Sequence, residues 1–443
     1  LKGGIAQTGG KVRAGKLVLE TTKDISLTQT GNEISALSGQ ANTIDLVTAN
    51  DLVVDGVKSL SHKEIGEEKL AITLDAGSKT IYLQGNNESY WLNLKSKTIQ
   101  TGGNTDSGPW LRVNNGFEQQ GGNITATSIT LYNNSEFVID NANTEDGVST
   151  MGFGAFGDES VTLKNGTLSQ RPSASDTKLF INANFKQTGG KVTAQNMESA
   201  KNFVQEAGTI DVGAGTLTLK ADSTVKGTVK ATTIANTGKL TQEGGTIGES
   251  GKALTVNGAF EQTAGTVDAS GSTLTLKADS TVKGTVNAGS IDATGTTLTA
   301  DGASVTVTGS EGIKAGTVAQ TGSGTIKADK VSGDVTQTGT GTVKANGSTG
   351  IEVTGKLTQN NASATFGETG KAVTLGSLEQ TAGTVDASGS TLTLNTDSTV
   401  AGTVKATTIA NTGKLTQSGG TIGESGKALT VTGAFEQTAG TVD

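Results

Sequence analysis

A short phrase recurs along this chain at nearly constant spacing. An apolar residue, a variable residue and a glutamine lead into a Gly-rich corner and a second apolar residue. Clear copies begin at Phe185, Leu240 and Phe260, where Phe185-Lys186-Gln187-Thr188-Gly189-Gly190-Lys191-Val192 is typical. The glutamines fall at Gln187, Gln205, Gln242, Gln262, Gln320, Gln337, Gln359, Gln380, Gln417 and Gln437, in steps of 18, 37, 20, 58, 17, 22, 21, 37 and 20. Each step is close to one, two or three units of about 19 residues, and self-similarity at a fixed period decides an architecture before any single residue can. Longer duplications keep the frame. Glu261–Leu276 is identical to Glu379–Leu394, and Thr216–Asp268 recurs as Thr391–Asp443 with differences only at positions 220, 221, 226, 243 and 257 of the first copy.

A unit of about 19 residues is too short for a helical hairpin repeat or a propeller blade, but suits one coil of a β-solenoid with three short strands and three corners. Local patterning agrees. Apolar and polar residues alternate around Leu217 and Leu219 and around Val305 and Val307, which sends each pair to one face of a strand. The middle position of the phrase is Lys186, Thr241, Glu261, Ala319, Thr336 or Glu379, so it tolerates any polarity and is expected to point outward. The apolar residue and the glutamine then point inward. Inward glutamines at equivalent places on successive coils, about 4.8 Å apart, are expected to stack into an amide ladder, a packing role rather than a ligand-binding one.

Composition narrows the classes further. With 64 glycines, no cysteine and 3% aromatic residues in 443, the chain is neither a disulfide scaffold nor an ordinary globular enzyme built on one large core. Its alternation, its Thr and Val content and its two prolines, Pro109 and Pro172, argue against disorder. The net charge of −8 is scattered, so no basic footprint for nucleic acid exists. No apolar run of membrane-spanning length, signal peptide or lipidation site is visible, and Asp443 falls inside a repeat. A fragment of a longer protein is expected, with any membrane anchor outside this segment.

Residues 195–443 read as regular solenoid repeats. Residues 1–194 read as the same solenoid with departures from the period near 57–70, 85–108 and 133–157, the places where a function other than shape is expected.

His62 is the only histidine, so neither a His-based triad nor a multi-histidine metal site can be assembled in one copy. Carboxylates recur coil by coil, as at Glu249, Glu261, Asp268 and Asp279, which is the pattern of a solvated face rather than of a catalytic pair. Asp140, Asn141, Asn143 and Asp146 supply hard oxygen atoms within seven residues and form a weak candidate calcium turn, set against a plain polar surface turn. Tyr90, Trp91 and Trp110 stand out in an aromatic-poor chain as a candidate ligand patch, set against a role sealing the solenoid wall. No catalytic residue, cofactor site or firm metal site is assigned.

On its Gly/Thr/Val coils, exemplified by residues 238–247 and 265–276, the chain resembles the β-helical passengers of type V secreted bacterial adhesins, which comprise autotransporter passengers and filamentous-haemagglutinin-like exoproteins. The resemblance implies a right-handed parallel β-helix on the bacterial surface or secreted, acting as a non-enzymatic shaft in adhesion, aggregation or biofilm. Its partners would be a protein or glycan on a host or neighbouring cell, or copies of itself. The alternatives are an extracellular filament built by end-to-end stacking of solenoids and, at lower weight, a solenoid carbohydrate-active enzyme.

Overall fold

The computed structural model describes residues 1–443 apart from 62–71, 90, 108–109, 115, 142, 144–145 and 172–176, and gives the backbone alone at Trp91 and Trp110. Among the described residues it is all-β, about 64% strand and without a helix, and its parallel stacked coils make a β-solenoid of about 21 turns. Two compact units are resolved, Leu1–Ser223 and Thr224–Asp443. The sequence division at 194 marks repeat regularity, which is a different property from contact density.

In the second unit each coil contributes three short strands, and every pairing is parallel to the coil before and after. The phrase strand runs Leu240, Phe260, Ser280, Leu298, Val318, Val335, Leu357 and Leu378 from coil to coil. Steps vary from 17 residues, Val318 to Val335, to 22, Val335 to Leu357. Strand register stays constant while corner length absorbs the difference. A second wall carries a column of hydroxyl residues: Thr228, Thr246, Thr266, Thr285, Ser304, Thr325, Thr342, Thr365, Thr384, Thr403, Thr421 and Thr441 are successive register partners. The residue after each, such as Ile247, Val267, Val286 and Phe366, is buried, except Val442 after Thr441, which is 45% exposed. A β-branched residue beside a glycine corner restores extended backbone at once, which accounts for threonine there.

The first unit is built the same way with more variable corners. Ile44 pairs with Ile72 and Leu52 with Ile81, steps of 28 and 29 residues, and the span between them includes the expected departure at 57–70. Of that departure, Val57–Ser59 still pairs with the preceding coil, and 62–70 lies outside the described residues. Within 85–108 most described residues lie in strands. Asn86–Glu88, Trp91–Thr101 and Asn104–Asp106 are rungs of the wall, paired on both sides. Clustered Asn, Ser and aromatic residues disguised ordinary two-residue alternation there. Residues 133–157 are also mostly rungs, Glu136–Asp140 and Gly147–Ala155. The surplus sits in corners, since Ile124 pairs with Val148 and Phe137 with Val161, each 24 residues on.

The interior is a set of stacked columns. Phe117 and Phe137 pack face to face at 4.5 Å, Phe153 meets Phe137 edge-on at 5.3 Å, and Phe185 stacks on Phe203 at 5.5 Å. Each such ring is under 3% exposed and contributes roughly 1.5–3 kcal/mol by leaving water. A thin column suffices because each coil uses its two neighbours as the rest of its core.

Candidate functional site

Nine of the ten expected inward glutamines are buried at 0–1% exposure: Gln187, Gln205, Gln242, Gln262, Gln320, Gln337, Gln359, Gln380 and Gln417. Gln437, on the last rung described, is exposed. Amide-to-amide bonds of the expected kind occur from Gln205 to Gln187 (3.1 Å), Gln262 to Gln242 (3.2 Å), Gln359 to Gln337 (3.2 Å) and Gln380 to Gln359 (2.8 Å). The ladder is interrupted, however. Val282, Ala300 and Val400 occupy the same column, which is why the sequence steps double and triple there.

The more general contact is a clamp onto backbone. Gln242 Nε2 donates to Gly245 O of its own corner at 3.3 Å and to Thr266 O of the next coil at 2.9 Å. Gln262 does the same with Gly265 and Thr285, Gln380 with Gly383 and Thr403, and Gln417 with Gly420 and Thr441. Gln320 Nε2 donates to Gly322 O. At two of the three interruptions, Val282 and Val400, the corner is also shorter; Ala300 is the exception, since Asp301-Gly302-Ala303 turns in three residues through a left-handed glycine (φ 76° at Gly302). In Gln262-Thr263-Ala264-Gly265-Thr266 three residues turn the corner through a left-handed glycine (φ 89° at Gly265), which aims a carbonyl inward. In Val282-Lys283-Gly284-Thr285 and Val400-Ala401-Gly402-Thr403 only two residues intervene, and their glycines are not left-handed. A buried carbonyl needs a donor, whereas the short corner accepts an apolar side chain.

Asparagine repeats the device elsewhere. Asn236 Nδ2 donates to Gly238 O and Ala259 O, both at 2.9 Å, and Asn411, its counterpart in the 175-residue duplication, contacts Gly413 and Ala434. In the first coils Gln7 and Asn32 exchange two amide bonds of 2.9 Å. Gln119 clamps Gly122 and Gly147. For Asn236 and Asn411 the sequence signal is an amide residue two positions before a glycine, Gly238 and Gly413.

The four candidate calcium ligands are divided among different tasks. Asp140 Oδ1 accepts from Asn165 at 2.7 Å, with Lys164 at 3.7 Å from Oδ2, while Asp146 Oδ1 accepts from Asn123 at 3.2 Å. Asn141 is wholly buried and donates weakly to Gly122 O, and the Asn143 carbonyl accepts the Asp146 N–H. Asp140 and Asp146 each spend an oxygen on a neighbouring coil, whereas Asn141 Oδ1 is buried without a hydrogen-bond partner, and no cluster of three or more His, Cys, Asp or Glu able to hold a metal exists among the described residues.

Of the candidate aromatic patch, the backbones of Trp91 and Trp110 are direct register partners on adjacent coils, so the fold brings together two residues 19 apart in sequence. Tyr90 and His62 lie outside the described residues. A different aromatic pair is fully described. Tyr132 stacks on Phe156 at 5.2 Å, and Phe156 is 77% exposed. Glu159, at 2% exposure, anchors this corner by accepting N–H bonds from Gly157 (2.6 Å) and Asn134 (3.4 Å). Burial pushes its carboxyl upward, but these donors together with its own N–H outweigh burial and hold it below the usual carboxylate range.

Outside, ion pairs join coil to coil: Lys178 to Glu198 at 2.6 Å, Lys186 to Glu206 at 2.9 Å, Lys226 to Glu243 at 3.0 Å and Lys356 to Glu379 at 2.8 Å. The scattered charges are thus arranged in vertical pairs rather than massed on one face. Set beside known proteins, the chain matches no family model, no curated protein and no solved structure.

Proposed function

We propose that this chain is part of the shaft of a secreted or surface-displayed bacterial adhesin of the type V class, a non-enzymatic stack of coils that carries a binding region away from the cell. The observation that carries the reading is the glutamine clamp. Each clamped coil is tied to the next through its backbone ladder and also through an inward amide, as where Gln380 holds Gly383 and Thr403. Cohesion is therefore repeated locally, through the backbone ladder at each coil and the amide at each clamped one, without a large core or disulfide, which suits a part whose work is to extend and bear load. The outward positions of the phrase strand, by contrast, are varied, Thr241, Glu261, Thr281, Thr299 and Ala319 in succession, as on a wall that contacts solvent.

The test is display of the chain, fused to a known outer-membrane anchor, on a bacterium lacking adhesins. Single projecting structures in electron micrographs, with increased attachment to host cells or between bacteria, are the expected result. Unchanged attachment and aggregation would sink the adhesin reading. Continuous fibres would favour the stacked filament, and shortened products after incubation of the purified chain with host glycans would favour an enzyme.

A further inference from the structure

Phe156 is the most exposed large apolar side chain among the described residues, at 77%, in a chain with only 3% aromatic residues. Its ring rests on Tyr132 of the preceding coil with centroids 5.2 Å apart and an interplanar angle of 19°, continuing the register in which Leu131 pairs with Ala155. The two rings make a strip one ring wide on an otherwise polar wall. Exposure on this scale costs solubility and contributes nothing to the core.

The surrounding backbone holds the strip in place at some expense. Asn133 and Asn134 are the only non-glycine residues with positive φ among the described residues, at 57° and 54°. Such conformations are retained where the surroundings over-determine them, often at sites of recognition. What over-determines them here is Glu159, which accepts the Asn134 and Gly157 N–H groups, while Asn134 Oδ1 accepts the Asp158 N–H at 3.4 Å. Lys201 Nζ donates to Gly157 O from a later coil, and Asn182 Nδ2 donates to Ala155 O at 3.2 Å. The Phe156 corner is thus tied on both sides while its ring is left bare.

We infer that the Tyr132–Phe156 pair is a saccharide-binding platform. A pyranose ring presents a C–H face that stacks on an aromatic face and a rim of hydroxyls that needs donors and acceptors. Asn133, Asn134 and Asp158 are all exposed beside the rings and supply both kinds of group. A protein partner fits less well, since a stable interface buries about 800 Å² on each side around several apolar anchors. The neighbours of Phe156 at this corner are Gly157, Asp158 and the two asparagines. The inference rests on the shaft reading only for the source of the glycan, a polysaccharide of a cell surface or matrix.

Saturation-transfer NMR on the full chain, with neutral oligosaccharides of glucose, galactose, mannose and N-acetylglucosamine as probes, tests it. Transfer to the ring C–H protons of at least one probe is expected, with Kd weakened tenfold or more in Phe156→Ala and in Tyr132→Ala, while the thermal melt of Phe156→Ala matches the parent. Absence of transfer with all four probes overturns the platform. So does an affinity unchanged from the parent's in both variants. Neither failure touches the shaft, which is read separately from attachment of displayed cells. Loss of attachment by the parent chain sinks the shaft and leaves the sugar titration standing.

Discussion

Gln380 donates from Nε2 to Oε1 of Gln359 across 2.8 Å, and Gln359 in turn donates to Gln337 at 3.2 Å. This three-coil run is the longest unbroken stretch of amide ladder, and its middle member is both donor and acceptor. Gln359→Leu keeps the volume but leaves the carbonyls of Ala364, Thr384 and Gln337 without their amide donor. Buried polar groups left unpaired cost about 1–3 kcal/mol each, so a loss of about 3 kcal/mol is expected in urea unfolding of the full chain. A loss below about 0.5 kcal/mol would show that the clamp is dispensable.

The two corner types predict a coupled pair of changes. Gln262→Val alone leaves the Gly265 and Thr285 carbonyls unsatisfied, at about 2 kcal/mol. Gln262→Val with deletion of Thr263 converts the corner to the two-residue form already used at Val282 and Val400, and recovery of at least half of that loss is expected. If the deletion makes matters worse in urea titrations, corner length does not select the inward residue.

Gly245 tests the corner from its backbone side. Its φ is 59°, and a Cβ there would lie 1.9 Å from Gly227 O on the preceding coil. Gly245→Ala must move a ladder strand as well as adopt a strained φ, so a loss of more than about 2 kcal/mol is expected from these combined mechanisms. Gly251, also left-handed but with nothing within 4 Å of the added carbon, pays only the local strain of roughly 1 kcal/mol. Comparing the two alanine variants by thermal melting separates packing from conformation.

Two carboxylates are expected to give opposite pH dependences. Glu159 is held below its ordinary range, so its contribution is present above that range and lost as the pH falls through its folded pKa. Half-buried Asp45 is pushed up by burial, opposed by Lys95 and reinforced by Asp75, so its protonated form is favoured on folding and stability falls as the pH rises past the ordinary aspartate value. Urea midpoints measured from pH 3 to 7 should therefore show Asp45→Asn gaining stability over the parent at neutral pH. Glu159→Gln should lose stability at neutral pH and show a flatter acid limb.

The outer ion pairs are expected to matter little singly. Lys186 and Glu206 are 2.9 Å apart, with side chains 48% and 45% exposed. Screened pairs of this kind contribute about 0–1 kcal/mol, and Lys186→Ala should fall in that range, with the difference vanishing in 1 M salt.

The regular half was legible because its residues report their surroundings without ambiguity. Leu, Phe, Val and Gln recur inward, while Thr241, Glu261 and Ala319 show by their variety that the middle of the phrase faces out. The irregular half was harder to read. Asn86–Glu88 and Asn104–Asp106 are paired rungs, but asparagine and serine also favour turns, and a short polar strand has the composition of a loop. The recurrence of inward glutamines points to an amide ladder in which they bond chiefly to one another. Their main acceptors are the carbonyls of Gly245, Thr266 and their equivalents, and a carbonyl's direction is not written in residue identity.

What the sequence by itself determined is the repeat of about 19 residues, and with it parallel coils, an inward glutamine and a solvated outer wall. Periodic burial leaves a chain this poor in large apolar residues no other way to cover its core. Tertiary structure decided which residues meet across coils. Corners of two, three or more residues set the sequence step from each coil to the next while the strands stay in register, so that Val282 follows Gln262 and Tyr132 comes to lie under Phe156, 24 positions later in the chain.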